Sequence, residues 1–146
     1  MTAVLGAAAA VAMVIAVVAI LGRVRNRLLL VTVTGDSMAP DLNKGDVVLV
    51  RRSRRCRPGD IALLRLKADG VAMVKRVVAV AGDPVPGDMR VAVPQPVVPA
   101  DAVLVLGTRP DSMDSRRLGP IPVERVVGVV VRTMRRQSTR APDVTR

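Results

Sequence analysis

Lys75 stands in Val71-Ala72-Met73-Val74-Lys75-Arg76-Val77-Val78-Ala79-Val80-Ala81-Gly82-Asp83, an apolar, β-branched run in which a cation is out of place. The chain has 20 arginines but only 3 lysines. The other two, Lys44 and Lys67, lie in turn-like segments where a charge stays hydrated. An ammonium pressed among apolar side chains loses hydration, its pKa falls, and a neutral amine becomes available. Beside a serine hydroxyl such an amine is a general base. The chain has no histidine. A Ser-His-Asp site is therefore excluded, and a serine nucleophile here needs a lysine partner. The serine candidate is Ser37, in Gly35-Asp36-Ser37-Met38-Ala39-Pro40-Asp41-Leu42. Gly35 frees the backbone and Pro40 stops regular structure, which holds Ser37 on a tight corner with its own N–H open to a developing oxyanion. The competing readings are plain: a serine that caps a turn, and a strand lysine that snorkels to solvent.

These two residues need elements that bring them together. Short β-type runs follow residue 27: Leu28–Thr34, Asp46–Arg51, Asp60–Leu66, Val71–Ala81, and more weakly Met89–Val93, Ala102–Leu106 and Arg125–Arg132. Gly45-Asp46, Gly59-Asp60, Gly82-Asp83 and Gly87-Asp88 supply turns before or after several of them. The spacing predicts a mainly β domain, an antiparallel sheet folded into a partly open barrel, with no helix after the first segment. Five prolines in Pro84–Pro99 predict loops around a short edge strand. Alternation along Val71–Ala81 puts Met73, Lys75 and Val77 on one face and turns Arg76 to solvent.

Composition narrows the function. The 146 residues suit one folded domain, and with no Phe, Tyr or Trp the core rests on Val, Leu, Ile, Ala and Met. A net charge of +11 would suit phosphates, but single-strand nucleic-acid binders stack bases on aromatic rings, and this chain has none. An anionic membrane surface is the better partner for that charge, and nucleic acid is not expected. Cys56 is the single cysteine, so no internal disulfide forms; in Arg51-Arg52-Ser53-Arg54-Arg55-Cys56-Arg57 the neighbouring cations are expected to favour its thiolate.

Ala3–Leu21 is 19 residues without a charge, enough to cross about 30 Å of hydrocarbon as a helix. It has no basic leader before it and no strong cleavage site after it, so the expectation is an uncleaved single-pass anchor. The chain thus divides into residues 1–27 as anchor with basic flank, 28–132 as β domain and 133–146 as a basic, disordered tail. Arg23, Arg25 and Arg27 follow the anchor, and the positive-inside rule alone would put the domain in the cytoplasm.

Four ordered blocks behind that anchor resemble type I signal peptidases, the membrane-anchored Ser-Lys proteases that remove leader peptides. Gly35-Asp36-Ser37-Met38-Ala39-Pro40, with Gly45–Val50 behind it, is similar to the family's S-M-x-P block. Arg57-Pro58-Gly59-Asp60-Ile61-Ala62 is the second. Val74-Lys75-Arg76-Val77 through Gly82-Asp83 is similar to the general-base block. Ser112-Met113-Asp114-Ser115-Arg116-Arg117-Leu118-Gly119-Pro120-Ile121-Pro122 is similar to S-x-D-S-R-x-x-G-x-V-P. The resemblance implies Ser37 as nucleophile, Lys75 as general base, Ser112 as the residue that orients the amine, Asp114 and Arg116 as a bracing ion pair, and Met38 and Gly35 in the substrate cleft. It implies precursor proteins with small residues before the cut as substrates, a plasma-membrane location with the domain extracytoplasmic (against the charge rule), and no cofactor or metal.

The chain departs from the family in three ways. Gly107-Thr108-Arg109-Pro110 stands where many members have G-D-N. Gly35 stands where some carry an extra serine donor, and no aromatic residue is present to rest on a bilayer. Two alternatives accompany the leader-peptidase reading: a maturation protease dedicated to one precursor, and a non-catalytic membrane-tethered β module that binds anionic lipid or protein. Self-cleaving Ser-Lys repressors share the chemistry, but the anchor and the S-x-D-S-R block argue against them.

Overall fold

The computed structural model describes residues 2–65 and 72–134, with the side chains of the first helix described at residues 11–23 and 25. The elements in chain order are α1 (Thr2–Arg25), β1 (Leu28–Thr32), β2 (Val47–Arg52), β3 (Ile61–Arg65), β4 (Ala72–Val80), β5 (Ala102–Leu106), α2 (Ser115–Leu118), β6 (Ile121–Pro122) and β7 (Val126–Met134). The seven strands form one antiparallel sheet in the order β1-β2-β7-β3-β4-β5-β6. The ladder slips between Leu49 and Val50, Leu63 and Leu64, and Val77 and Ala79. Each slip adds local twist, and the sheet curls into a half-barrel. At Gly128 of β7 a Cβ would lie 2.7 Å from Val50 Cγ1 and on the Arg51 carbonyl, so only glycine lets β7 approach β2 this closely.

Three of the four predicted Gly-Asp turns share one device. In Asn43–Asp46, Arg57–Asp60 and Val80–Asp83 the aspartate N–H donates back three residues, at 3.0, 3.1 and 2.9 Å. Its carboxylate accepts the N–H of the turn's first residue at 2.9, 2.8 and 2.9 Å. The glycine before it has φ of 94°, 94° and 86°, a backbone that side chains resist. The first of these turns closes the Ser37 loop into β2, and the second leads into β3 beside Lys75's strand.

Burial follows the alternation. Val48 and Val50 of β2 join Val33, Met38, Leu42 and Leu63 in one cluster. Ala62, Leu64, Val77, Val103, Val105, Ile121 and Val126 form a second. At about 25 cal/mol per Å² of apolar surface such aliphatic clusters carry the fold without a single ring.

Several expectations change. Met89–Val93 is not a strand. Prolines at 84, 86, 94 and 96 remove ladder donors on both sides. The segment instead folds as a 3₁₀ turn, Gly87–Met89, and a following turn, and it packs Met89 and Val93 against Val85, Val98 and Leu104. The edge strand expected within Pro84–Pro99 is reduced to one bridge, Pro84 to Val97. A second helix does exist: α2 is one turn, capped by the Asp114 carboxylate on Arg116 N–H, too short for periodicity to reveal. Cys56 rests against the second cluster, and burial, then Asp60, push its thiol pKa up, not down, because the flanking arginines point outward. The last strand extends to Met134, and tail residues 135–146 lie outside the described residues.

The expected anchor coincides with α1. Among the described residues no helix is long and apolar enough to cross a membrane.

Candidate active site

The corner expected around Ser37 forms directly after β1. Ala39 N–H donates to Asp36 O at 3.0 Å and Leu42 N–H to Met38 O at 2.8 Å, which makes a compact turn with Met38 and Leu42 driven into the core. Ser37 itself is half-buried at the wall of a groove of about 190 Å³. The groove runs between Val31–Gly35 on one side and Ala72–Val74 on the other, with Met38 and Leu63 at its base. Its lining is aliphatic apart from the hydroxyls of Thr32, Thr34 and Ser37.

Lys75 points inward, the face alternation left open to it, and is 2% exposed. Its Nζ donates to Ser112 Oγ at 2.5 Å. Burial lowers its pKa from the ordinary lysine value; the Asp114 carboxylate pulls it back up and Arg116 pushes it down, and burial prevails. Among the described residues no hydrogen bond joins Lys75 Nζ to Ser37 Oγ. Arg76 does not simply face water: it donates to Gly59 O at 3.0 Å and pairs with Asp41 of the Ser37 turn at 2.6 Å. Both partners are about two-fifths exposed, so the pair steadies that turn more than it stabilises the fold.

Ser112 sits on the loop between β5 and α2, 4% exposed. Beneath it Asp114 is fully buried and saturated. Its Oδ1 accepts from Arg116 Nε at 3.0 Å and Arg116 N–H at 3.1 Å, and its Oδ2 from Arg116 Nη2 at 2.7 Å and Gly107 N–H at 2.9 Å. Burial alone would raise the Asp114 carboxyl; the hydrogen bonds from Arg116 and Gly107 outweigh it and hold it below the usual carboxylate range. Arg116 also donates to Arg109 O at 2.8 Å, and Ser115 Oγ accepts Val105 N–H at 2.9 Å. The ion pair is therefore no surface ornament. It nails the loop that carries Ser112 to the end of β5.

Two residues of that loop were not singled out from sequence as site residues. A Cβ on Gly107 would fall on Ser112 Oγ, 2.6 Å from Ser112 Cβ and 2.8 Å from Ser37 O. Gly107 is thus the point where the serine turn and the Lys75–Ser112 pair touch. Thr108 N–H donates to Ser37 O at 2.9 Å. The signal for both lay in the departure Gly107-Thr108-Arg109-Pro110, but a sequence does not say what that loop faces. Gly107→Ala is expected to displace Ser112 or the Ser37 backbone by about 1 Å and to slow turnover about 100-fold, since misplacing reacting groups by that much costs as much. Steady-state cleavage rates for Gly107→Ala at an unchanged melting temperature check this.

The five residues Ser37, Lys75, Ser112, Asp114 and Arg116 converge on this one region, and Met38 and Gly35 line the adjoining groove. Two family models meet here. The Peptidase S24-like model matches residues 8–86, more than half of the chain, and includes Ser37 and Lys75. The signal peptidase (peptidase S26) model matches residues 86–134 and includes Ser112, Asp114 and Arg116. The chain belongs to the type I signal peptidase-like family of S24/S26 serine peptidases. The two matches adjoin at residue 86, so the two sides of the site fall in different models. Among curated proteins none matches the chain.

Proposed function

We propose that this S24/S26 peptidase cleaves leader peptides from exported precursors through a Ser37–Lys75 dyad. The observation that carries the reading is the buried Lys75 amine, held by Ser112 and lowered in pKa by desolvation, in the same region as the groove-lining Ser37. Neutral Lys75 takes the Ser37 proton as Oγ attacks the peptide carbonyl. Ser37 N–H donates to the oxyanion, Gly35 leaving that face of the turn open. The leaving amine takes the proton from Lys75, and water with Lys75 again as base releases the acyl group. Asp114 and Arg116 touch no reacting atom; they hold Ser112, which aims the amine.

The groove fits the substrate class. An extended peptide entering between Val31–Gly35 and Ala72–Val74 has backbone groups on both sides to pair with. Its small side chains would fill an aliphatic space of about 190 Å³.

The anchor is part of the proposal. The helix α1 carries Val11, Met13, Val14, Ile15, Val17, Val18, Ile20 and Leu21 all 49–69% exposed, so along Val11–Leu21 the β domain covers none of its faces. Apolar side chains exposed all round a helix need another apolar medium. A single-pass plasma-membrane anchor with the domain extracytoplasmic would meet that need; the crossing rests on the uncharged run Ala3–Leu21 of the sequence, since the described residues by themselves hold no helix long and apolar enough to cross.

The test is covalent. An acylating serine probe should label wild type at Ser37 and leave Ser37→Ala unlabelled, and leader peptides should be cut only by the wild type. A chain that neither reacts nor cleaves is the non-catalytic β module instead.

A further inference from the structure

The loop that holds the amine's partner also reaches across to the nucleophile, through a residue the proposed mechanism does not use. Thr108 lies 71 positions after Ser37, yet its N–H donates to Ser37 O at 2.9 Å. Its hydroxyl oxygen is 2.6 Å from Ala39 O and 3.2 Å from Ser37 O. A hydroxyl has one proton; the nearer carbonyl, Ala39 O, takes it, and Ser37 O is already served by the amide. One residue thus grips the carbonyls on both sides of Met38.

The grip is anchored from behind. Gly107 N–H is held by Asp114 Oδ2 at 2.9 Å, and Arg109 O accepts from Arg116 Nη2 at 2.8 Å and from Ser112 N–H at 3.2 Å. The residues flanking Thr108 are therefore fixed to the Asp114–Arg116 pair that also supports Ser112. Thr108 is the hydrogen-bonded link between the Ser37 turn and the loop that orients Lys75.

We propose that Thr108 is a positioning residue for the nucleophile, setting the orientation of the Ser37 backbone against the Lys75–Ser112 pair. This rests on the peptidase reading and deepens it. An ionised aspartate at this position would have no proton to donate to Ala39 O, whereas the threonine hydroxyl does. Thr108 is exposed, so water competes for these bonds and their worth to folding is small. Their effect is expected in the geometry of attack, where small displacements are magnified.

Thr108→Val keeps the amide and the branched shape and removes the donor. Thr108→Ser keeps both donors. Leader-peptide kcat should fall about tenfold in Thr108→Val with KM within about twofold of wild type, and Ser37 labelling should slow in parallel. Thr108→Ser should recover kcat to within about twofold of wild type, and all three proteins should melt together. Wild-type kcat in Thr108→Val, or a Thr108→Ser protein as slow as Thr108→Val, overturns the assignment. A wild type that neither cleaves nor labels overturns the peptidase reading, and this assignment with it.

Discussion

Lys75→Met is expected to abolish leader-peptide cleavage, lowering kcat by about 10⁴-fold or more, as loss of a nucleophile's base does in serine peptidases. Methionine matches the length of the lysine stem, so the buried space stays filled. The Ser112 hydroxyl loses its partner, a cost of about 1 kcal/mol, but burial no longer works against a charge. Fold stability near neutral pH should therefore hold or rise. Lys75→Arg should be as inactive as Lys75→Met, because a guanidinium keeps its proton. Cleavage assays beside thermal melts separate loss of chemistry from loss of fold.

The same amine sets the pH dependence. Its folded pKa lies below the ordinary lysine value of 10.5 because burial disfavours the ammonium. Activity needs the neutral form, so kcat/KM should climb as pH rises through the folded pKa and level off above it. The stability sign agrees. Between the folded and unfolded pKa values the unfolded chain binds the extra proton, so stability rises with pH across that window. Below the folded pKa the buried cation is a constant penalty. In Lys75→Met this part of the pH dependence should vanish. A wild-type rate independent of pH from neutrality upward, with full activity in Lys75→Met, would remove the dyad.

Asp114→Ala should be the most destabilising single change at the site. The carboxylate is fully buried and accepts four hydrogen bonds, three from Arg116 and one from Gly107. Its removal strands a guanidinium that is itself only 26% exposed and leaves the Gly107 N–H unsatisfied. Breaking one side of such a pair costs about 3 kcal/mol or more. For a domain of this size that lowers the melting temperature by about 10–20 °C. The slope has the same sign as Lys75's, stability rising with pH, but here it comes from a stabilising carboxylate in the acid range and not from a buried-cation penalty in the alkaline one. Asp114's folded pKa lies below 3.8, so its contribution is present above the unfolded value and is lost as pH falls through the folded one. Asp114→Ala should melt early at neutral pH and show a weaker further loss in acid. A melting temperature within about 2 °C of wild type would make the pair a surface contact after all.

Much of this was visible in the order of residues. The β2, β3 and β4 runs follow directly from apolar stretches that adjoin Gly-Asp turns, and β5 from the apolar run Ala102–Leu106, because turn backbone and strand patterning are local. Alternation alone puts Lys75 and Arg76 on opposite faces of their strand, and the absence of histidine leaves lysine as the partner proposed for a serine. Four short blocks in order pointed to the family.

What stayed hidden depends on contacts between distant segments. Cys56 sits among arginines in sequence, yet the fold packs it against the aliphatic cluster of Ala62, Leu64, Val77 and their neighbours and leaves the cations in water. Arg76 was placed in solvent by alternation, but the curl of the sheet brings Asp41 within 2.6 Å of it. Met89–Val93 has a strand's composition and packs as a turn because the prolines around it deny it a ladder. The chain order dictates which residues carry a proton, a hydroxyl or a strand's stiffness, since those are properties of each side chain and its near neighbours. Only closure of the sheet decides that Thr108 meets Ser37 and that Ser112 meets Lys75, because hydrogen bonds and desolvation act over a few ångströms between groups far apart along the chain.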